Sequence, residues 1–255
     1  QVEMSSPRRP TLEDAARAWL DEHESSTSVP RWLVQALTDF VERRYRGAAH
    51  DLREVHALRE NLLGDQRPLE DLHDAATGPW DKQTLGSAAS HSAPPQQGRL
   101  LFHLARFHPG TNALELGANI GISAAYMALG LRYGGGGRVV TVEGSGVRCE
   151  EARRVLGQLG IREVEVVHGQ FDDVLRGLIE SSLPIELAFL DGNHRKEPTM
   201  RYFDLLAQAM PSQGLVILDD IRWSEEMLAA WEELRQDRRS SEAVDLGRTG
   251  LIVLG

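Results

Sequence analysis

Three carboxylates at the ends of two apolar runs are where this sequence could do chemistry. Ala188-Phe-Leu-Asp-Gly-Asn-His194 presents Asp191, and Leu215-Val-Ile-Leu-Asp-Asp220 presents Asp219 and Asp220. If both runs are buried strands, these acids stand at adjacent carboxyl ends and their oxygens could converge. Carboxylates gathered away from water need a compensating cation. An all-oxygen set suits Mg²⁺, which keeps several waters and admits further oxygens to its octahedron. The alternative is that one or two of these acids only cap helices. His194 follows Asp191 by three residues. Its unperturbed pKa of about 6.5 would let it take up a proton near neutrality, or it could orient Asp191 or lie on the surface. There is no Cys/His group with zinc spacing.

A second constellation lies in Asn112-Ala-Leu-Glu-Leu-Gly-Ala-Asn-Ile-Gly121, followed by the apolar run 122–131. It reads as a buried strand, a tight glycine turn and a helix whose N-terminus points at whatever sits above the turn. Free backbone N–H groups and the positive helix end make such a turn a ligand cradle. Gly117 and Gly121 let the backbone bend and approach closely. Glu115 would select the ligand, repelling a pyrophosphate and welcoming an ammonium or sulfonium end; the alternative is a Rossmann-like turn with no cofactor. Glu143, in Val142-Glu-Gly144, lies 22 residues beyond Gly121, where an acid can accept both ribose hydroxyls of an adenosine ligand. A merely solvated Glu143 is the alternative. In His168-Gly-Gln-Phe-Asp172, Gln170 and Phe171 could wrap an adenine edge and face. An ordinary helix start capped by Asp172 or Asp173 would read the same.

The elements that must position these residues follow from periodicity. From Asn112 onward, strands are expected at 112–117, 138–143, 162–168, 185–191 and 214–220, and helices at 121–132, 147–159, 171–181, 197–209 and 223–236. Continuous apolar strands alternating with helices imply an α/β parallel sheet covered on both faces. Residues 242–246 and 251–254 form two short strands about Gly247-Arg-Thr-Gly250, too close in sequence for a parallel crossover, so they must pair antiparallel. Before the sheet, Leu12, Ala15, Ala16, Trp19 and Leu20 have helical spacing. Further helices are expected near 30–45, 51–63 and 95–107. Residues 64–94 are punctuated by Gly and Pro and read as irregular; Trp80 and His91 there could face a substrate or pack on the surface.

The composition narrows the function classes. The chain has 255 residues, 41% hydrophobic and 26% charged, with a formal net charge of −10. That charge argues against nucleic-acid binding, which needs clustered cations. Cys149 is the single cysteine, which fits a reducing cytoplasm. No apolar run approaches the ~20 residues of a spanning helix, so no membrane association is expected.

Together these motifs resemble the class I S-adenosylmethionine-dependent O-methyltransferases of the metal-dependent, catechol-methyltransferase-like group. Ala93-Pro-Pro-Gln-Gln-Gly-Arg-Leu-Leu101 is similar to the helix before the first strand in that group, and Leu114-Glu-Leu-Gly-Ala-Asn-Ile-Gly121 to its cofactor loop, with Asn119 in place of the central glycine. The runs 189–203 and 219–227 are similar to a bacterial branch of general O-methyltransferases, and the likeness extends weakly through the N-terminal helices and Leu62-Leu-Gly-Asp-Gln-Arg67. The resemblance implies a Rossmann-like, seven-stranded, mostly parallel sheet ending in an antiparallel hairpin. Residues 93–255 would be the cofactor-binding domain, and residues 1–92 a helical extension with a lid and loop, or a homodimer face. It implies S-adenosylmethionine bound by Glu115, Gly117, Asn119, Gly121, Glu143, Gly144, Gln170, Phe171 and Asp191, and a metal, Mg²⁺, held by Asp191, Asp219 and Asp220. His194 stands where the catechol enzymes carry a lysine base.

The reaction so implied is methyl transfer to a hydroxyl of a small molecule, with Mg²⁺ fixing and acidifying that oxygen and His194 taking its proton. The alternatives are a metal-independent methyltransferase acting on a small amine or oxygen, an NAD-dependent oxidoreductase, which Glu115 and the terminal hairpin oppose, and a non-catalytic partner-binding scaffold, which the acid triad opposes.

Overall fold

The computed structural model describes residues 10–24, 26–69, 83–181 and 184–255. Trp80, singled out above, lies outside the described residues. Seven strands form one sheet in the order β3-β2-β1-β4-β5-β7-β6. They are β1 (Asn112–Leu116), β2 (Arg138–Glu143), β3 (Val164–His168), β4 (Leu187–Leu190), β5 (Leu215–Leu218), β6 (Ser240–Asp245) and β7 (Gly250–Leu254). All pairs from β3 to β5 are parallel, and β7 runs antiparallel to both β5 and β6. The strands are where the apolar runs require them: β4, β5 and β7 are buried at every residue, while the edge strands β3 and β6 keep exposed positions. The expected α/β, Rossmann-like class I layout with its antiparallel terminal hairpin is present.

The strand order reverses between β1 and β4, each turning to its own side of the sheet. In an open α/β sheet the crevice for a ligand opens outside the carboxyl ends at such a point. Helices cover both faces: α6 (Ile122–Gly134), α7 (Gly146–Gln158), α8 (Phe171–Glu180), α9 (Lys196–Ala209) and α10 (Glu225–Leu234). Ahead of the sheet come α1 (Leu12–Glu22), α2 (Arg31–Val41), α3 (Ala49–Leu63), α4 (Leu85–Ser90) and α5 (Pro95–Phe107). Helix α5 packs on α6 and on α2, α1 on α2, and α3 on α4 and α6. The apolar faces of α1–α3 join α5, α6 and the sheet in one hydrophobic cluster. Among the described residues no helix is long and apolar enough to cross a membrane.

Two elements depart from expectation. Helix α2 stops at Val41 instead of reaching 45, because Arg43 adopts φ +54 and the chain folds back over the buried Asp39. Asp39 Oδ1 accepts from Gln35 at 2.8 Å, and Arg46 Nε lies 3.1 Å from Oδ2. The stretch expected to be irregular contains α4, whose first turn is capped by Thr84 accepting the Ser87 N–H at 3.1 Å. A helix of one and a half turns is too short to show periodicity.

The approach of α5 to α6 depends on missing side chains. A Cβ at Gly130 would lie 2.4 Å from the Phe102 carbonyl oxygen, and one at Gly98 would enter the Tyr126 ring at 2.2 Å. Gly157 in α7 has nothing within 4 Å of that position. Gly130→Ala should therefore destabilise the protein by about 1–3 kcal/mol through overpacking, whereas Gly157→Ala should stabilise it by about 0.5–1 kcal/mol by lowering the entropy of the unfolded chain. Urea unfolding of both variants checks the pair, and equal effects would refute the packing argument.

Candidate active site

The turn after β1 is set by backbone contact. Gly117 sits at φ +111, and its N–H and that of Ala118 donate to the Val142 carbonyl at 3.0 Å. A Cβ on Gly117 would fall 2.2 Å from the Asp191 carbonyl oxygen, so a residue with a side chain would force β1 and β4 apart. Asn119 adopts φ +47, the left-handed region that Asn tolerates better than most residues. Its Nδ2 donates to the Ala88 carbonyl at 2.8 Å and to Ser92 Oγ at 3.2 Å, and its Oδ1 accepts from Arg148 at 3.1 Å. The residue that replaces the usual glycine thus ties the turn to α4 and α7. Gly121, at φ +84, leads directly into α6, whose first N–H groups have no partner within the helix.

Two acids face this turn from the strands. Glu115 is fully buried, and its Oε2 accepts from Thr141 Oγ1 at 2.5 Å. Its Oε1 has no hydrogen-bond partner among the described residues. Burial pushes this carboxyl up to about 7, against the pull of the neighbouring Ser123 and Thr141 hydroxyls. Glu143 accepts the Asn119 N–H at 2.8 Å and the Ser145 N–H at 3.0 Å. Burial raises its pKa while these backbone donors and Arg148 oppose the rise. A carboxylate has about four lone-pair positions, so Glu143 is fixed in place and keeps capacity for further donors. An unpartnered buried acid, a fixed second acid and a row of free helix N–H groups fit a cationic adenosine ligand.

The ends of β2 and β3 close one side of the crevice. A Cβ on Gly144 would lie 2.9 Å from Gln170 Nε2, and one on Gly192 would lie 2.6 Å from the Phe171 ring. Phe171 therefore packs over the residue that follows Asp191, with its ring edge-on to Tyr202 at 6.0 Å. Gln170 is the N-cap of α8 but makes no side-chain capping bond.

Asp191, Asp219 and Asp220 do converge, but not around an open metal position. Asp219 is fully buried, and Arg248 grips it with Nη2 on Oδ2 at 2.7 Å and Nε on Oδ1 at 3.1 Å. Gln97 Nε2 donates to the same Oδ1 at 2.6 Å, and Thr249 Oγ1 lies 3.4 Å from it. Asp220, at φ +51 and so outside the expected strand, places Oδ1 3.0 Å from Arg248 Nε. Burial and then the Asp219 charge raise the pKa of Asp191, and the same two causes raise that of Asp220. His194 Nε2 stands 3.8 Å from Asp191 Oδ1 and 4.0 Å from Asp220 Oδ2. As arranged, the donor set does not fit Mg²⁺: Asp219 has both oxygens committed, and among the described residues no group of three His, Cys, Asp or Glu is placed to hold a metal ion.

Arg248, Gln97 and Trp223 are site residues that sequence reasoning missed. Trp223 is 71% exposed, with its ring centroid 6.4 Å from that of His194, so it forms an aromatic rim beside the acids. His91, considered above as a substrate contact, is exposed, and its Nδ1 donates along its own helix to the Ser87 carbonyl at 2.8 Å.

Residues 114–221 match a family described as a methyltransferase domain. The chain is 29% identical over 132 residues to a catechol O-methyltransferase of Niastella koreensis, covering 51% of this chain and 58% of that one. It therefore spans less than two thirds of the length of this relative. An O-methyltransferase from Bacillus cereus in complex with S-adenosylhomocysteine superposes with a TM-score of 0.59 at 22% identity, over 86% of this chain and 97% of that chain. A Podospora anserina methyltransferase bound to S-adenosylhomocysteine superposes with a TM-score of 0.60 at 16% identity, over 99% and 100% of the two chains.

The buried Glu115 makes a pH prediction. Its folded pKa of about 7 lies above the ordinary 4.5, so between these values the native state holds a proton that the unfolded chain has released. Stability from this group is present below pH 4.5 and is lost as pH rises through about 7. The loss amounts to about 3 kcal/mol at ~1.4 kcal/mol per unit. Ligand-free wild type should lose that much more stability over this range than Glu115→Gln. Parallel pH profiles in urea unfolding would contradict it.

Proposed function

With residues 114–221 matching a methyltransferase-domain family, we propose that this chain transfers a methyl group from S-adenosylmethionine to a hydroxyl of a small molecule. The observation that carries the reading is the pairing of Glu115 and Glu143 across the 117–121 turn: one buried acid with an unpartnered oxygen, the other immobilised at the end of β2. Bound S-adenosylmethionine would supply an electrophilic methyl on a positively charged sulfur. Glu143 would hold the ribose hydroxyls, while Gln170 and Phe171 border the adenine. The turn N–H groups and Glu115 would receive the charged amino-acid end. Burial of Glu115 makes its ionisation unfavourable alone and favourable beside a cation, so the site is electrostatically prepared for this ligand. A dinucleotide would instead bring its pyrophosphate against the same acid.

The acceptor would enter past Trp223 and lie against the ends of β4 and β5. His194, about 4 Å from Asp191 and Asp220, would take the hydroxyl proton. An oxygen acceptor agrees with the catechol O-methyltransferase relative. The Mg²⁺ expected from the acid triad has no step here, because Asp219 is already engaged. Helix α4, tied to the cofactor turn through Asn119, and α3, packed on it, would form part of a lid.

Transfer of labelled methyl from S-adenosylmethionine to a panel of small hydroxyl compounds, with calorimetry of S-adenosylhomocysteine binding, tests the reading. Glu143→Ala should weaken S-adenosylhomocysteine binding at least tenfold with the fold intact. His194→Ala should leave that affinity within about twofold and lower turnover by about 10²–10⁴. Binding of NAD but not of S-adenosylhomocysteine would overturn the cofactor assignment. Near-normal turnover of His194→Ala across neutral pH would remove the base role.

A further inference from the structure

We infer that Arg248 is the resident cation of the acid cluster, occupying with its guanidinium the electrostatic role that three converging carboxylates would otherwise give to a divalent metal. The inference rests on the proposed methyl-transfer reading only for its activity measurement; its structural content stands on Arg248 itself.

Asp219 is engaged at both oxygens. Its Oδ1 receives Arg248 Nε, Gln97 Nε2 and, at 3.4 Å, the Thr249 hydroxyl, and its Oδ2 receives Arg248 Nη2. The Arg248 contact is bidentate and charge-assisted, the strongest geometry available to a carboxylate and an arginine. Arg248 Nε also lies 3.0 Å from Asp220 Oδ1, so one guanidinium answers two of the three acids. A metal ion ligated by Asp219 would have to break this fork and then sit beside the displaced positive charge.

The arginine is also built into place. Its N–H donates to the Leu246 carbonyl at 3.1 Å, and its carbonyl accepts the Ile221 N–H at 3.0 Å, which joins the β6–β7 turn to the segment just after Asp220. The turn is braced by Asp245, whose Oδ1 accepts the Gly247 N–H at 2.8 Å. At the start of β7 a Cβ on Gly250 would strike the Trp231 ring at 2.5 Å, so this strand is seated against α10. Arg248 therefore reaches Asp219 from a turn anchored on both sides, with its side chain 45% exposed. The cluster needs no imported cation to be neutralised at Asp219, and its remaining polar atoms, those of Asp191, His194 and the outer oxygen of Asp220, are left to the substrate.

The test is a Mn²⁺ titration of the whole chain, read from the electron paramagnetic resonance of free Mn²⁺, with and without S-adenosylhomocysteine. Wild type should show no stoichiometric Mn²⁺ binding, and its methyl transfer should stay within about twofold after exhaustive chelation. Arg248→Ala should gain a Mn²⁺ site, and adding Asp219→Asn to that variant should remove it. A stoichiometric Mn²⁺ site on wild type that Asp219→Asn abolishes, or loss of turnover on chelation restored by Mn²⁺ or Mg²⁺, overturns the inference. If Arg248→Ala fails to fold, the wild-type titration decides alone. Failure of the wild type to bind S-adenosylhomocysteine would refute the proposed function instead, and the Mn²⁺ result would still report on Arg248.

Discussion

A carboxylate without solvent contact at the end of β5 is the constraint on which this half of the molecule depends. Asp219 has zero exposure, and a buried charge of that kind is tolerated only with its hydrogen bonds filled and a partner charge in contact. Two separate parts of the chain meet the requirement: α5 sends Gln97, and the terminal hairpin sends Arg248 and Thr249. The antiparallel direction of β7 is what makes this work. Leu218 at the end of β5 pairs with Gly250 at the start of β7, so the turn before β7 is delivered to the carboxyl end of the sheet. A parallel seventh strand would start at the opposite end and leave its preceding turn far from the site.

Most of the framework was legible in the sequence because it is written in local patterns. Apolar runs gave the strands, their alternation with helices gave the parallel sheet, and the short spacing of the last two strands required an antiparallel hairpin. The cradle was legible for the same reason, since Glu115, Gly117 and Gly121 lie within one turn. What was not legible were contacts between distant segments. The need for a cation beside Asp191, Asp219 and Asp220 could be read from their burial, but its identity could not: Arg248 stood in a stretch that read only as a turn, 29 residues beyond Asp219, and Gln97 is 122 residues before it. The end of α2 escaped for a related reason, because the chain bends there to serve a buried acid, Asp39, that helical periodicity treats as one polar position among others.

Asn119 shows how one substitution in a local motif acquires a tertiary role. A glycine at φ +47 would shape the same turn but contribute nothing else. The asparagine pays for its less favourable backbone with an amide that links the turn to the Ala88 carbonyl, Ser92 and Arg148. Its backbone N–H meanwhile holds Glu143. The residue thus couples the position of a strand-end acid to the position of α4, a helix outside the sheet, and any movement of α4 is felt at the Gly117–Gly121 turn.

The buried acids of the crevice differ in how completely they are satisfied, and that difference separates scaffold from binding surface. Asp219 receives donors at both oxygens and a bidentate counter-charge from Arg248. Glu115, equally buried, keeps an oxygen with no partner and a carboxyl pushed up to about 7. An unmet buried acceptor is an energetic liability of about 1–3 kcal/mol in the free protein, and it ceases to be one only when a donor or cation arrives. The unmet capacity therefore marks where a positively charged ligand gains the most, beside the Gly117–Gly121 turn. The bidentate arginine at Asp219 marks where the fold has already supplied its own cation. Electrostatic preparation of this site runs in two directions, one acid held ready for an incoming charge and the other closed by an internal one.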